Sequence, residues 1–548
     1  MSSMPIRTTA KVQSLRTLDL EKSGKGADAP GYLARAVSLH MRGKKEEALE
    51  ELQRAVAAGE STPEICVAMG HIQFELDRIE DAVKSYRMLV QLKPQHPTGW
   101  FNLAVCLERL GLWEEAADKF QKACSLDANQ FDAYLGLGIC QLHMNDGKAA
   151  LTSFETCVDL SPDSEDARFG MAVALQMQGE AEDATTLYEQ ILEGNPESEE
   201  ALSNLTLIGM AKEDYEMVRE YSERLLELRP ESTVALEGLA TWAAATGDHG
   251  LTAKFCTLLV SAVPGHFEGW FNLALAYQKS ERWQEAAEAY AEALRLRPQA
   301  SQAHTNLGIV REELGDRAGA RDAYERGAQA DRNATAPLWN LGLLLEQSGQ
   351  IQEAERIYAQ LLEKSREEQE ARFRLGCLRL QREDYKGAVE AFETCVKQRP
   401  QWPEAQTNLA LAYSRVGERD RAQRIYEEML EADPKSLEAL RGLAALALEA
   451  SDLETALEHH VRLIDLGERS AEVLYNAGLM YQKSQQLEKA AGLYREALAQ
   501  QPDMTEALVN LGSVLIPLGQ EEEAKACWTR AIDAKPALAQ GYFGPAMD

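Results

Sequence analysis

FEGWFNLALAYQKSERWQEAAEAYAEALRLRPQA, residues 267–300, is the stretch that decides the fold of this chain. Its first half carries apolar side chains at i, i+3, i+4 and i+7, namely Trp270, Leu273, Ala274 and Tyr277. That spacing places them on one face of a helix. The second half repeats the spacing until Pro298, which ends the helix because proline has no backbone N–H to donate. The stretch predicts a helical hairpin whose single apolar side needs a neighbour of the same kind.

The pattern recurs every 34 residues without an insertion. In the register of Pro298, proline returns at Pro162, Pro196, Pro230, Pro264, Pro400, Pro434, Pro502 and Pro536. Ala286 also finds alanine at most of its equivalent positions, and Ala274 finds only a small residue at nearly all of its own, such as Gly70, Ala104, Gly308 and Gly512. A small side chain there is predicted to let two helices cross closely. The regular period indicates one continuous array rather than several globular domains.

This 34-residue pattern of Trp, Leu-Gly, Tyr, Ala, aromatic, Ala and Pro resembles the tetratricopeptide repeat family. The resemblance implies an all-α, right-handed superhelical solenoid of about fifteen helix-turn-helix repeats over residues 29–538. Residues 1–28 precede the array and form either a disordered tail or a short amphipathic helix. Residues 539–548 are predicted to be a short tail or a partial cap. The resemblance is informative for fold and much less so for function, because the family consists mostly of binding scaffolds.

A region of weaker consensus at 199–266 interrupts the array. Val218 and Thr252 replace the small alanine, and Ser222 and Cys256 replace the aromatic ring of the second helix. Because these changes disturb the usual packing at the crossing of the two helices, the sequence predicts looser contacts and either a change of superhelical curvature or a hinge near residues 206–256. Hydrogen exchange no faster in that segment than elsewhere would contradict the hinge.

Composition excludes several classes of function. The formal charge of -31, from 88 acidic and 57 basic residues, disfavours binding to nucleic acid or to anionic membranes and leaves a basic partner open. No run of about twenty apolar residues is present, and the nine cysteines are scattered without metal-ligand spacing. We interpret the cysteines as reduced core residues of a cytoplasmic protein. No catalytic, nucleotide or metal motif is recognised, so no enzyme, cofactor or metal site is predicted.

Two register positions beside the apolar stripe of the first helices are candidates for partner binding. Two residues before Leu273, and at its equivalents, six hairpins carry a ring: Phe101, Phe169, Phe271, Trp339, Phe373 and Tyr475. One residue before it, eight hairpins carry asparagine: Asn102, Asn204, Asn272, Asn306, Asn340, Asn408, Asn476 and Asn510. The family resemblance implies that the first helices line a concave groove, so both rows are predicted to face a partner. The alternative is that the asparagines are family consensus and that the rings pack on adjacent helices.

Asparagine is unusual inside helices because its side chain competes for backbone hydrogen bonds. Each amide offers one donor and one acceptor, which is what an extended peptide backbone presents. The row is similar to the asparagine ladder in the repeats of the O-linked N-acetylglucosamine transferase family, although these 548 residues contain no glycosyltransferase domain. Only the mode of binding is therefore implied. A charge clamp for C-terminal carboxylates is not predicted, because Arg374 and Arg441 lack basic neighbours at the equivalent positions.

These observations favour a non-enzymatic scaffold, adaptor or chaperone-like protein that binds peptide segments or partner proteins in its groove. Two alternatives remain open at this stage. One is a structural protein that self-assembles through poorly capped ends, and the other is a noncatalytic subunit of a larger enzyme complex. Concentration-dependent sedimentation distinguishes the first of these alternatives from a monomeric scaffold.

Overall fold

The computed structural model describes residues 31–538, and all the regular secondary structure in that range is helical. Within residues 31–538, thirty α-helices form fifteen hairpins, which confirms the predicted all-α array of about fifteen repeats. The helices belong to two compact units, with the boundary after Leu296. The weaker-consensus region at 199–266 therefore lies wholly inside the first unit, and the predicted hinge within it remains a prediction.

The first unit contains sixteen helices, in which odd numbers open a hairpin and even numbers close it. They are α1 (Tyr32–Met41), α2 (Lys45–Ala57), α3 (Pro63–Glu75), α4 (Ile79–Leu92), α5 (Pro97–Arg109), α6 (Trp113–Leu126), α7 (Phe131–His143), α8 (Gly147–Leu160), α9 (Glu165–Gln178), α10 (Ala181–Gly194), α11 (Glu199–Lys212), α12 (Tyr215–Leu228), α13 (Thr233–Ala245), α14 (His249–Ala262), α15 (Phe267–Lys279) and α16 (Trp283–Leu296).

The second unit continues the same order. It comprises α17 (Ser301–Glu313), α18 (Arg317–Ala330), α19 (Ala336–Gln347), α20 (Ile351–Lys364), α21 (Gln369–Gln381), α22 (Tyr385–Gln398), α23 (Pro403–Val416), α24 (Arg419–Ala432), α25 (Leu437–Glu449), α26 (Leu453–Asp465), α27 (Ala471–Lys483), α28 (Leu487–Gln500), α29 (Thr505–Leu515), α30 (Glu521–Ala534) and a 3-10 turn, Pro536–Leu538. Within each unit every helix packs on the next, and first helices also contact first helices, as α11 does α13 and α23 does α25.

Every hairpin turns through one residue with a left-handed backbone. These residues recur at 34-residue intervals from Gly43 to Gly519, with φ between 56° and 93°. Glycine occupies eight of these positions, and a polar residue such as Asn145 or Glu281 occupies the others. A side chain costs roughly 1–2 kcal/mol in this conformation, and the packed helices on either side must offset that cost. The turn keeps one length throughout, which explains why the register has no insertion.

Polar caps fix where the helices begin. Six second helices are preceded by an aspartate whose side chain accepts a hydrogen bond from the backbone N–H three residues later: Asp146, Asp214, Asp248, Asp316, Asp384 and Asp452. Such a cap satisfies an amide that the helix itself leaves unpaired, and it contributes roughly 1 kcal/mol. These aspartates also follow the 34-residue register, so the sequence specifies the start of the second helix as well as its apolar face.

The small residue of the first helix makes room for the ring of the second. A Cβ added to Gly70 would lie 2.7 Å from the ring of Tyr86, and one added to Gly308 would lie 2.3 Å from the ring of Tyr324. The prediction that this position must be small is thus correct. The physical reason is more specific than a close crossing of backbones, because the buried ring occupies the space.

Two of the sequence predictions concern segments outside the described residues. The proposed amphipathic helix or tail at 1–28 and the partial cap at 539–548 both lie there, and self-assembly through the ends stays a prediction with them. Within residues 31–538, no helix has the length and apolar character needed to cross a membrane.

Candidate functional site

The six predicted ring residues all pack against the core ring of their own hairpin. The ring centroids lie 5.6 to 5.9 Å apart in the pairs Phe101–Phe120, Phe169–Tyr188, Phe271–Tyr290, Trp339–Tyr358, Phe373–Phe392 and Tyr475–Tyr494. Phe101 and Phe169 are buried, at 0% and 7% exposure, and offer no surface to a partner. The other four are half-buried and present one edge. Their main contribution is to close the hairpin, since each such pair adds roughly 0.5–1.5 kcal/mol beyond area burial.

The eight predicted asparagines are not equivalent in the structure. Asn102 and Asn204 are buried, at 2% and 0% exposure, Asn272 is exposed, and the rest are half-buried: Asn306, Asn340, Asn408, Asn476 and Asn510. Asn102 lies against Tyr86 of the preceding hairpin, and Asn510 Nδ2 donates to the Tyr475 hydroxyl at 3.2 Å. The position therefore often serves the contact between hairpins. Asn272 is the member most available to a ligand.

Exposure of Asn272 follows from two substitutions in the hairpin α13–α14. Where the closed hairpins have a ring pair, this one has Glu237 on its first helix and Cys256 on its second. A cysteine cannot fill the volume of a tyrosine ring, so the space beside it stays open. The preceding hairpin, α11–α12, has Ser222 at the ring position, but there Gly238 closes the gap, since a Cβ added to it would lie 2.3 Å from Ser222 Oγ. Helix α15 presents Asn272 where α13 presents that glycine.

The result is an open pocket of about 520 Å³ inside the first unit, which we call the ringless pocket. Its lining comes from first helices α11, α13 and α15, from α14 and from the residue that precedes α15: Met210, Glu237, Ala240, Thr241, Cys256, Leu259, His266, Glu268, Gly269 and Asn272. The lining combines an apolar floor with polar side chains at the mouth. Such a combination is typical of a binding site that orients its ligand through a few polar groups. Burial raises the pKa of the Cys256 thiol to about 12, so its sulfur is not a nucleophile.

His266 organises the polar mouth of the ringless pocket. Its Nδ1 accepts a hydrogen bond from the backbone N–H of Gly269 at 2.9 Å, where it caps α15. The neutral imidazole must then carry its proton on Nε2, which lies 2.6 Å from Glu237 Oε1. Glu237 is held by this contact, and its side chain remains 30% exposed at the pocket mouth. A carboxylate oxygen held in place at a pocket mouth is a site for a cationic or N–H donor.

The two arginines of the groove positions are already paired. Arg374 Nη1 lies 3.1 Å from Glu346 Oε1, and Arg441 Nη2 lies 2.9 Å from Glu468 Oε2. A carboxylate clamp needs cations that face the ligand rather than a neighbouring acid. Each of these two arginines faces a neighbouring acid instead.

A buried carboxyl group in α5 was missed by the sequence analysis. Glu108 is 6% exposed, its Oε2 has no partner within the described residues, and burial raises its pKa to about 7. In other hairpins the residue at this position accepts a hydrogen bond from the tyrosine twelve residues later, as Glu312 does from Tyr324 at 2.6 Å. The hairpin α5–α6 has Phe120 instead, so the hydroxyl donor is missing. The sequence does contain the signal, because Glu108 is followed twelve residues later by Phe120 instead of a tyrosine.

A second group missed from the sequence joins two first helices near the start of the array. His40 Nε2 of α1 lies 2.8 Å from Glu75 Oε2 of α3, and His71 Nε2 lies 3.2 Å from Glu75 Oε1. Lys45 Nζ is 3.1 Å from the same carboxylate. His71 and Glu75 are four residues apart on one helix, a spacing that signals a shared face, but His40 is brought in only by the packing of α1 on α3.

All nine cysteines are free thiols, eight of them buried and Cys377 half-buried. Burial raises the pKa of each one, and it reaches about 12 for Cys106, Cys124 and Cys157. Such thiols are protonated and unreactive at neutral pH. Their placement in the core agrees with the interpretation made from the sequence.

Models of the tetratricopeptide repeat match residues 67–133, 142–207, 271–335, 340–403, 379–446, 471–504 and 505–538, which together cover more than half of the chain. The chain therefore belongs to the tetratricopeptide repeat family. No curated protein sequence matches it.

Three solved structures are similar to the chain at low identity. The crystal structure of MamA protein is 20% identical, with a TM-score of 0.29, over 30% of this chain and 88% of that one. The structure of Naa15/Naa10 bound to HypK-THB is 12% identical, with a TM-score of 0.33, over 92% and 93%. The crystal structure of YrrB, described as a TPR protein with an unusual peptide-binding site, is 20% identical, with a TM-score of 0.31, over 34% and 96%.

Proposed function

We propose that this protein is a non-enzymatic interaction scaffold that binds an extended segment of a partner protein along its first helices. The ringless pocket is the anchoring point for one partner side chain. The observation that carries the proposal is the replacement of a ring pair by Glu237 and Cys256, which opens a pocket where the closed hairpins are filled. A scaffold that binds at one place needs a hairpin that differs from its neighbours, because an array of identical closed hairpins offers the same surface at every repeat.

The chemistry of the ringless pocket favours a long side chain that ends in a cation, that is, lysine or arginine. Its aliphatic stem would pack on Met210 and Leu259, and its charged end would reach Glu237 Oε2. The amide of Asn272 would bind the partner's backbone, with one donor and one acceptor. The net charge of -31 gives the same preference at longer range, because it attracts basic segments.

Magnitudes require that more than one hairpin takes part. A net hydrogen bond contributes roughly 0.5–1.5 kcal/mol, whereas association costs on the order of 4–15 kcal/mol. One pocket and one amide therefore cannot hold a peptide alone. The half-buried ring of Phe271, which stacks on Phe267 at 6.0 Å beside Asn272, offers apolar area next to the ringless pocket. We expect the bound segment to extend over α13 and α15 at least.

A peptide selection with matched variants tests this proposal. A random peptide library displayed on phage is selected on the full-length chain, and the enriched peptides are measured by fluorescence anisotropy. Cys256→Tyr restores the ring and should abolish binding, whereas Cys256→Ala keeps the ringless pocket open and should bind like the wild type. Enriched peptides should carry lysine or arginine. Equal binding to Cys256→Tyr and wild type, or failure to enrich any peptide, would contradict the proposal.

A further inference from the structure

We propose that His40, His71 and Glu75 form a binding site for a divalent zinc-type cation, independent of the peptide pocket. The three side chains come from the first helices of the first two hairpins. One carboxylate oxygen and one ring nitrogen from each histidine all lie within 4.8 Å of one another. Two imidazoles and one carboxylate are the donors that Zn²⁺ takes in sites that keep a fourth position open.

The spacing of the donor atoms fits a first-row cation after small side-chain rotations. Zinc binds imidazole nitrogen and carboxylate oxygen at about 2.0–2.2 Å, so tetrahedral ligands lie about 3.3 Å apart. Glu75 Oε2 lies 2.8 Å from His40 Nε2, and Glu75 Oε1 lies 3.2 Å from His71 Nε2, so each imidazole is already near one of the two carboxylate oxygens. The carboxylate must turn so that one oxygen faces both imidazoles, and the imidazoles, whose ring centroids are 6.0 Å apart in an edge-on arrangement, must approach one another. The backbone of the two packed helices need not move.

Burial and secondary structure hold the donors in place. His71 is 8% exposed and shares one face of α3 with Glu75, one helical turn away. The Nδ1 atom of His71 is buried with no partner within the described residues, so Nε2 is the only polar atom through which the ring is fixed. His71 Nε2 faces the Glu75 carboxylate, and a cation would bind between these two groups.

Lys45 competes with a bound cation for the Glu75 carboxylate. Its Nζ is 3.1 Å from Glu75 Oε2, and its side chain is 40% exposed at the start of α2. In the absence of a metal ion the ammonium neutralises the carboxylate. An exposed ion pair of this kind contributes little, so a divalent ion displaces it readily. This arrangement makes Lys45 a diagnostic residue, because its removal should favour the cation and leave the three donors intact.

Titration of the chelator-treated, full-length chain with ZnCl₂ in a calorimeter tests the site. We expect one high-affinity site per chain, weakened by more than about 100-fold in His40→Ala, His71→Ala and Glu75→Gln, because the loss of an outer-shell partner alone costs about 10- to 100-fold. His249→Ala, a histidine of α14 remote from these residues, is the matched control and should bind like the wild type. Lys45→Ala should bind zinc roughly twofold to fivefold more tightly.

Cobalt provides a second readout that separates this site from the nine cysteines. Co²⁺ bound by imidazole and carboxylate gives visible absorption without the intense near-ultraviolet band of thiolate ligation. We expect the visible band in the wild type and its loss in the double variant His40→Ala/His71→Ala. Binding of equal strength in that double variant, a thiolate band, or no site of one ion per chain would each overturn the proposal.

Discussion

The hairpins α13–α14 and α15–α16 are consecutive in the chain and share one backbone plan, yet only the second is closed by a ring pair. In α15–α16, Phe271 meets Tyr290 at 5.7 Å, and the Tyr290 hydroxyl donates to Gln278 Oε1 at 2.7 Å. In α13–α14 the equivalent pair is Glu237 and Cys256, and the ringless pocket lies beside them. A repeat array can thus gain a pocket when one hairpin lacks its ring pair. The periodic residues that determine the helices and turns are unchanged.

The largest expected effect comes from opening the closed hairpin. Tyr290 is 0% exposed, and Tyr290→Ala removes both the ring contact and the hydrogen bond to Gln278. Large-to-small changes of buried aromatic residues cost roughly 3–5 kcal/mol. We expect faster hydrogen exchange throughout α15 and α16, measured by mass spectrometry, and a lower thermal midpoint.

The matched control for that variant is Cys256→Ala in the open hairpin. It removes only one sulfur atom beside an existing pocket, so it should cost much less than Tyr290→Ala. A comparable loss of protection in α13 and α14 would mean that Cys256 closes its hairpin after all. In that case the comparison between the two hairpins would fail.

A third hairpin, α5–α6, sharpens the comparison because it keeps its rings and lacks only a hydroxyl. Burial raises the pKa of Glu108 from the ordinary value of 4.5 to about 7. Well below pH 4.5 the group is protonated in both folded and unfolded chains and costs nothing. As pH rises from 4.5 to 7, the unfolded chain loses its proton first, and the folded state loses roughly 2–4 kcal/mol of stability.

The variant Glu108→Leu removes this pH dependence. Leucine stands at the same position in the hairpins with Phe154 and Phe392, as Leu142 and Leu380, so the side chain suits the space. Its stability advantage over wild type should grow between pH 4.5 and 7 in chemical denaturation and then level off. Phe120→Tyr should produce part of the same gain by supplying the hydroxyl. An advantage that does not change with pH would show that Glu108 is not the titrating group.

Closing the ringless pocket is expected to raise stability by a smaller amount. The ring of Cys256→Tyr would lie against Ala240, and alanine already accompanies a tyrosine in the hairpins of Tyr188, Tyr290 and Tyr426. Filling a pocket with a compatible side chain commonly contributes roughly 0.5–2 kcal/mol. A higher thermal midpoint together with lost peptide binding would separate closure from misfolding. A lower midpoint would mean that the ring does not fit.

The fold was predictable because its determinants are local and repeated. The 34-residue register of proline, alanine and small residues indicated fifteen hairpins, and the structure has them. The availability of the site residues was not predictable from the same register. Asn102 and Asn272 occupy one repeat position, but the first lies against Tyr86 and the second beside Cys256. Whether an asparagine is buried depends on a side chain of the preceding hairpin, so a row read along one position does not reveal it.

The 34-residue register also does not reveal when a residue of one hairpin fills the space left by a small residue of the preceding hairpin. In the sequence, Ser222 and Cys256 both replace the aromatic ring of a second helix and predict equally loose packing. The structure closes the first with Gly238 and leaves the second open, because α15 has no glycine at the corresponding position. Packing at each junction therefore depends on a pair of residues from different hairpins, and either residue alone is ambiguous.

The smallest expected effect separates the two kinds of asparagine. Asn204 is 0% exposed and its Nδ2 donates to the Glu200 carbonyl oxygen at 3.0 Å, so Asn204→Ala should cost about 1 kcal/mol in thermal denaturation. Asn272→Ala should change stability by no more than about 0.5 kcal/mol, because the side chain is exposed. Peptide binding should show the opposite order, with Asn272→Ala weakened and Asn204→Ala unchanged. Equal loss of binding in both variants would contradict this distinction between a buried and an exposed asparagine.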